Sequence, residues 1–228
     1  MSNLENALSS LATGKFIMIH DDESRENEID LVMAAQFARP AHIAQLRNMA
    51  GGMICLAISN EVARKLGLMY MHDILRNISA GDSTISKITI GLAPYGDKPS
   101  FSISINHLDT YTGVTDSDRA LTISEMARIS SEIDTGGKDQ FIRFFRTPGH
   151  VPILIAAKGL LEERMGHTEL GVYLMKLANL APSVVICEML DSKTYRALKL
   201  YDAKEISTKY DIPMLEANEI RQINRLNR

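Results

Sequence analysis

Ten consecutive residues, Asp21 to Asp30, carry six carboxylates and one arginine between two apolar runs. The preceding run (16–19) and the following run (29–35) are rich in aliphatic residues, as is typical of buried strands. Like charges this close repel one another unless a cation or an arginine lies among them. A solvated acidic loop is the alternative, but such a loop needs no anchoring by two buried strands. The pattern therefore favours a functional site where strand meets loop.

A strand that began near Glu26 would place alternate side chains on one face of the sheet. Glu26, Glu28 and Asp30 would then project together, while Asn27 and Ile29 would face the other way. In that register, the repulsion among the three carboxylates would raise their proton affinities unless a cation or an arginine lies among them.

The overall composition limits the class of protein. The 228 residues are 45% apolar, enough for a substantial core, and we expect one domain over 1–228. A net charge of −3, without basic runs interleaved with aromatics, argues against a nucleic-acid partner. No apolar run approaches the ~20 residues that span a bilayer, and the N-terminus lacks signal-peptide features, so we expect a cytoplasmic protein with no membrane partner. Cys55 and Cys187 lie in apolar runs, which predicts reduced, buried thiols.

The periodicity of apolar residues predicts an α+β fold: a single-domain mixed sheet with helices packed around it, for which three layers are one arrangement. Strands are predicted at 16–19, 29–35, 53–58, 101–105, 153–157, 184–187 and 212–215. Helices are predicted at 3–13, 40–50, 60–67, 122–133, from 164–169 onward, at 203–210 and at the C-terminus.

Three finer predictions depend on individual cap and turn residues. Thr122, followed by Glu125 three positions later, predicts a capping box at the start of a helix. Residues 134–137 are expected to form a loop. Glycines and prolines interrupt the segment 68–100, where only 85–90 alternates, so we expect a mobile surface segment there.

An anion site is predicted where a helix opens. His167 stands at that helix start, with Arg164 three residues before it and Thr168 and Glu169 after it. The backbone amides at a helix start have no intrahelical partner, and together with an arginine fork they suit a phosphate. The alternative is that Gly166 or Thr168 merely caps the helix.

Two further residues are candidates for chemistry. His150 follows a Pro-Gly pair just before an apolar strand, so its ring could be held at a strand entrance. Glu188 closes an apolar strand, where burial would raise the pKa of its carboxyl and make it a candidate acid or base. A structural histidine and a water-facing glutamate are the alternatives. Carboxylates with histidine, and no cysteine cluster, indicate a hard divalent ion such as magnesium or manganese.

The motifs taken together resemble one family. They are Arg-Glu-Asn-Glu-x-Asp at 25–30, Thr-Gly-Val-Thr at 112–115, Pro-Gly-His at 148–150 and Gly-His-Thr-Glu at 166–169. In this order, over nearly the whole chain, they resemble 3,4-dihydroxy-2-butanone 4-phosphate synthase of riboflavin biosynthesis. That resemblance implies conversion of D-ribulose 5-phosphate to L-3,4-dihydroxybutan-2-one 4-phosphate and formate with Mg²⁺ or Mn²⁺, two ions per site. It also implies a homodimer whose active sites lie at the subunit interface.

The resemblance implies roles for particular residues. The implied metal ligands are Glu26 and His167. The implied substrate-binding residues are Arg25, Glu26, Asp30, Arg164, Met165, Gly166, His167, Thr168 and Glu188. The implied catalytic residues are Asp21, Thr112, His150 and Glu188. Which carboxylate moves each proton stays open among Asp21, Glu28, Asp30 and Glu188.

The chain departs from the family pattern in places. Ile29 stands where the common bacterial form has glycine, and the segment 91–100 looks longer, so any loop that closes over substrate transfers poorly. Many members carry a fused GTP cyclohydrolase II domain; this chain lacks that domain's zinc cysteines and is expected to be monofunctional. Two other functions stay open: a phosphosugar isomerase, and a module that binds a phosphorylated metabolite without turnover.

Overall fold

A mixed sheet runs through the computed structural model, which describes residues 2–79, 83–89 and 91–226. The strands are β1 (Ile17–His20), β2 (Ile29–Ala34), β3 (Cys55–Ile58), β4 (Phe101–His107), β5 (Phe145–Ile155), β6 (Ser183–Glu188), β7 (Leu190–Asp191), β8 (Arg196–Ala197) and β9 (Met214–Glu216). In the described residues the main sheet has seven strands in the order β4-β5-β3-β6-β2-β1-β9. β2 pairs antiparallel with both β1 and β6, whereas β3 pairs parallel with β5, which makes the sheet mixed as predicted.

Helices cover both faces of the sheet. They are α1 (Asn3–Ala12), α2 (Pro40–Gln45), α3 (Asn60–Leu66), α4 (Met71–Ile78), α5 (Thr84–Ile88), α6 (Asp116–Ser131), α7 (Lys138–Phe144), α8 (His167–Leu177), α9 (Leu200–Tyr210) and α10 (Ala217–Leu226). Local signals set several ends: Ser2 and Glu5 form a capping box on α1, and Ser59 caps α3. After α2 the chain continues as a π-helical turn and stops at Gly51, whose φ is +87°.

Two apolar clusters, one on each side of the sheet, make the fold three-layered and confirm the predicted fold class. On β2, Leu31 and Met33 pack with residues of α2 and α6, whereas Val32 and Ala34 pack with residues of α1 and α8. This is the two-residue alternation of a strand buried on both faces. Asp30 shares the face of Val32 and therefore points toward the start of α8.

The predicted strand over 29–35 is confirmed, but it does not extend back to Glu26. Pairing begins at Ile29, opposite His20, because Asn27 has a φ of +53° and breaks the extended backbone. Glu26 and Glu28 therefore belong to a loop, which we call the acidic loop (Asp21 to Glu28). The alternation predicted for the three carboxylates does not exist.

The predicted capping box at Thr122 is wrong. α6 begins six residues earlier, at Asp116, and its cap is Thr115, whose hydroxyl accepts from the amide of Asp118. Acidic residues in the first turn are favourable there because they face the positive end of the helix dipole. Thr122 lies inside the helix, and its buried hydroxyl accepts from the amide of His107.

Further boundaries differ from prediction. The alternating residues 85–90 do not form a strand, since Ser83 caps helix α5; residues 80–82 and 90 lie outside the described residues, and mobility of the segment stays a prediction. Helix α7 was not predicted, because it follows the predicted loop at 134–137 without a cap signal. β5 begins at Phe145, so His150 lies within this strand and not before it. Cys55 and Cys187 are free and buried, as predicted.

Across the described ranges, the helices are all too short or too polar to span a bilayer.

Candidate metal and phosphate site

Asp21 organises the acidic loop from its centre. Its Oδ2 accepts from Arg25 Nη1 at 3.0 Å and from the Glu26 amide at 3.1 Å, and its Oδ1 accepts from the Glu28 amide at 3.0 Å. The side chain is buried. Because these donors reach both oxygens, Asp21 holds the loop in shape.

Two carboxylates meet His167, the first residue of α8. Its Nδ1 lies 3.2 Å from Glu26 Oε2 and 3.9 Å from Asp30 Oδ2, and its Nε2 lies 3.3 Å from the Glu28 carbonyl oxygen. Ligand atoms of Asp21, Glu26 and His167 all lie within 4.8 Å of one another. Among the described residues, Asp30 Oδ1 is buried without a hydrogen-bond partner. Asp21, Glu26 and His167 thus form a donor set that fits a hard divalent cation, with the Asp30 carboxylate beside His167.

The charges of this cluster are strongly coupled. Burial lowers the pKa of His167, but Asp30 and the bond to Glu26 outweigh it and raise that pKa to about 9. Burial raises the pKa of Glu26, but bonds to His167 and Tyr95 and the charge of Arg25 bring it down to about 2. At neutral pH a protonated His167 therefore pairs with an ionised Glu26, and its positive charge neutralises the surrounding carboxylates as a metal ion would.

A second carboxylate layer lies beside this cluster. Glu188 stands directly opposite Asp30 in the β2–β6 register, and its Oε2 accepts from the Met53 amide at 2.7 Å. Burial, with the charges of Glu188 and other carboxylates, raises the pKa of Asp30 to about 7, although His167 opposes the shift. Burial and the same kind of repulsion raise the pKa of Glu28. The site thus contains one carboxyl, that of Asp30, that can exchange a proton near neutral pH.

An anion site adjoins the metal cluster at the start of α8. No side chain caps this helix, whose N-cap is Gly166. A Cβ on Gly166 would lie 2.8 Å from both Arg164 Nη1 and Arg25 Nη2, so glycine allows both guanidinium groups to approach the helix start. Buried Glu169 holds Arg164 through a 2.8 Å ion pair. Thr168, the second helical residue, is buried at the same place. Free amides, the helix dipole and two arginines together suit a phosphate.

Sequence reasoning missed two residues of the segment 91–99. Asp97 Oδ2 accepts from Arg25 Nε at 3.0 Å and from Arg164 Nε at 3.2 Å, a contact that we call the Asp97 bridge. The Tyr95 ring lies 4.9 Å from the Arg25 guanidinium carbon. The only local sign of these residues is the Tyr-Gly-Asp turn at 95–97, and a turn has no apolar periodicity that could predict its contacts. A cavity of about 320 Å³ adjoins the Asp97 bridge, and its lining includes Arg25, Tyr95, Asp97, Arg164 and Met165.

The remaining predicted residues form another cluster, which we call the Asn106 group (Asn106, Thr112, Gly113 and His150). Asn106 Oδ1 accepts from the His150 amide at 2.8 Å, and its Nδ2 donates to His150 Nδ1 at 3.2 Å. The proton of the neutral imidazole therefore lies on Nε2. Gly113, at φ +92°, lies against the Asn106 side chain. The exposed Thr112 hydroxyl donates to Asp118 Oδ2 at 3.3 Å.

The predicted site residues thus fall into two places. Those of the acidic loop, β2, β6 and the start of α8 come together. Thr112 and His150 do not join them: within the described ranges no hydrogen bond or ion pair links the Asn106 group to the acidic loop, and β3 and β6 separate β5 from β2.

Comparisons with known proteins agree with one another. A family model for 3,4-dihydroxy-2-butanone 4-phosphate synthase matches residues 5–223. The synthase of Archaeoglobus fulgidus is 42% identical over 219 residues, which cover 96% of this chain and 92% of that protein. The crystal structure of the Candida albicans synthase aligns with a TM-score of 0.76 at 30% identity, over 98% of this chain and 97% of that one. A synthase structure in complex with two magnesium ions aligns with a TM-score of 0.75 at 25% identity, over 96% and 95% of the two chains.

Proposed function

Because the chain belongs to the 3,4-dihydroxy-2-butanone 4-phosphate synthase family, we propose that it converts D-ribulose 5-phosphate to L-3,4-dihydroxybutan-2-one 4-phosphate and formate. The reaction is a metal-dependent lyase reaction and supplies a four-carbon unit for riboflavin. The observation that carries the proposal is the pairing, at one helix start, of the Glu26–His167 cluster with two arginines around Gly166. A phosphosugar has both features that such a pair recognises: a phosphate and neighbouring oxygens able to chelate a cation.

Glu26 and His167 would hold the metal, with the free oxygen of Asp30 beside them. We propose Mg²⁺ or Mn²⁺, two ions per site, since oxygen-rich donor sets prefer hard cations and a structural neighbour binds two magnesium ions. When bound, the divalent ion supplies a Lewis acid that polarises substrate oxygens.

Arg164, Thr168 and the Gly166–His167 amides receive the substrate phosphate in this proposal. The ion pair with Glu169 fixes the orientation of the Arg164 guanidinium group. Thr168 is buried in the first turn of α8, where its hydroxyl lies beside the free amides. Met165 lines the adjoining cavity and limits its width. Phosphate binding there presents the sugar carbons to the carboxylates of β2 and β6.

Asp30 and Glu188 are the proton-transfer groups that we propose. Asp30 combines a pKa of about 7 with an oxygen that has no hydrogen-bond partner, so it can take up and return a proton near neutral pH. Glu188 stands opposite Asp30 and is partly exposed, so its carboxylate lies between Asp30 and water. Asp21 positions the loop, and Arg25 carries charge toward the substrate. Glu28 is left as an electrostatic neighbour.

His150 and Thr112 act, in this proposal, on the site of the other subunit of a homodimer. Within the Asn106 group, His150 and Thr112 are exposed while Asn106, which orients the His150 ring, is buried; an exposed histidine is what a contribution to a neighbouring chain requires. Cytoplasmic location and the absence of nucleic-acid or membrane partners stay predictions from the sequence.

A formate assay tests the proposed function. Purified protein with ribulose 5-phosphate and Mg²⁺ is expected to release one formate per substrate consumed, to stop when EDTA is added, and to recover when Mg²⁺ is restored. Release of an isomeric pentose phosphate without formate would instead establish an isomerase. Substrate binding without any turnover would establish a binding module. Glu188→Gln serves as the control, since it should lose formate release and keep substrate binding.

A further inference from the structure

Asp97 occupies the position between the two arginines of the phosphate site. One oxygen, Oδ2, accepts from Nε of both Arg25 and Arg164, at 3.0 and 3.2 Å. Asp97 is the half-buried partner: its side chain is 31% exposed, against 9% for Arg25 and 15% for Arg164. The fixed part of the contact is therefore the pair of guanidinium groups, and the carboxylate is the part that water reaches.

The arginines keep capacity that Asp97 does not use. Within the part of the chain that the structure describes, Arg25 Nη2 is buried without a hydrogen-bond partner, and it points at Gly166, where α8 begins without a side-chain cap. A carboxylate that offers one oxygen leaves this donor unsatisfied. A phosphate offers three terminal oxygens and accepts forked hydrogen bonds, so it can engage both guanidinium groups and the helix amides at once.

The segment that carries Asp97 is held to the site by few contacts. Its own turn is closed by the Ala93 amide bonding to the Asp97 carbonyl oxygen at 2.9 Å. Beyond the Asp97 bridge, Tyr95 bonds to Glu26 and lies over Arg25. Gly96 has a φ of +90° with open space around it. Loss of the bridge would therefore free the segment with little other cost in contacts.

We infer that Asp97 is an internal substitute for the substrate phosphate, which holds the empty anion site closed and is displaced when a phosphate binds. This inference rests on the proposed function, because it takes the arginine pair to be the phosphate site. Asp97 pairs with both guanidinium groups in the free protein, in addition to Asp21 and Glu26 on Arg25 and Glu169 on Arg164. A more highly charged anion competes with Asp97 for both arginines. Its carboxylate thus sets how strongly an anion must bind to enter the site.

Titration calorimetry with inorganic phosphate, on metal-free protein at low salt, tests the inference. Asp97→Asn removes the competing charge and is expected to tighten phosphate binding about three- to tenfold, the size expected from removal of one or two partly exposed ion pairs. Asp22→Asn is the matched control: it removes one charge beside the same cavity, but the Asp22 carboxylate bonds to Ser24, and among the described residues no hydrogen bond or ion pair joins it to Arg25 or Arg164. It should change phosphate affinity less than about twofold.

The outcomes separate this inference from the proposed function. Weaker phosphate binding in Asp97→Asn would show that Asp97 positions the arginines for phosphate. Equal changes of phosphate affinity in both variants would show a general field effect. Either result overturns the inference, and so does the absence of phosphate binding in both the wild type and Asp97→Asn. Formate release is measured in parallel. Tighter phosphate binding in Asp97→Asn without formate release would support the role of Asp97 as an internal phosphate substitute and refute the synthase function. Formate release with unchanged phosphate affinity in Asp97→Asn would support the synthase function and refute that role of Asp97.

Discussion

The acidic loop and the Asn106 group contain the predicted site residues, yet they are built in opposite ways. In the acidic loop, Asp21, Arg25 and Glu26 face inward and pair with one another: Asp21 alone accepts three hydrogen bonds, and its side chain is fully buried. In the Asn106 group, Asn106 is buried but His150 and Thr112 are exposed; neutral hydrogen bonds join Asn106 to His150, and Tyr111 beside the group is 94% exposed. Under the proposed function, one chain supplies the metal and phosphate site, whereas His150 needs a neighbouring surface to act on.

The largest expected effect separates metal binding from turnover. Glu26→Gln removes a charged ligand of the cluster and should lower both Mg²⁺ binding and formate release by about a hundredfold or more. His150→Asn should lower formate release to a similar extent while Mg²⁺ affinity stays within about threefold, because His150 does not touch the cluster. Calorimetry with Mg²⁺ and the formate assay measure the two effects. Loss of Mg²⁺ binding in His150→Asn would refute the division into two regions.

A stability difference should follow from the contrast in burial. Asp21→Ala leaves Arg25 and the amides of Glu26 and Glu28 without their shared acceptor, and should destabilise the fold by about 2–4 kcal/mol. Thr112→Ala removes one weak bond at an exposed position and should cost less than about 0.5 kcal/mol. Urea unfolding followed by circular dichroism gives both values. Equal midpoints for the two variants would contradict the organising role of Asp21.

The most gradual effect is a dependence of metal affinity on pH. The pKa of His167 is raised from 6.5 to about 9, so its charged form stabilises the metal-free fold below pH 6.5, and this stabilisation is lost as the pH rises through 9. Metal must displace that proton, so Mg²⁺ affinity should rise about tenfold per pH unit between pH 7 and 9. His167→Gln should bind Mg²⁺ weakly and without this slope. A flat profile for the wild type would show that His167 is not a ligand.

Much of the fold follows from local sequence. The buried strands on either side of the acidic loop, the capped start of α3 and the opening of α8 were all predictable, because apolar spacing and cap residues act over a few positions. Two helix starts were not. Thr115 caps α6 in place of the predicted Thr122, and α7 starts without a side-chain cap.

The site shows the same limit. The Gly-His-Thr-Glu run predicts a helix start that suits an anion, and the carboxylates beside Arg25 predict a charged cluster, since both signals are local. The Asp97 bridge joins residues 72 and 67 positions apart in the sequence, and no periodicity records it. The same holds for the pairing of Asn106 with His150, which depends on the register of β4 against β5.

The most direct test of the two-region account is complementation between two inactive variants. Glu26→Gln and His150→Asn disable different regions, and co-expression should give dimers of which about half are mixed. Each mixed dimer would contain one site with both regions intact, so about a quarter of wild-type formate release should return. No recovery, although mixed dimers are isolated by two affinity tags, would contradict a site assembled from two subunits.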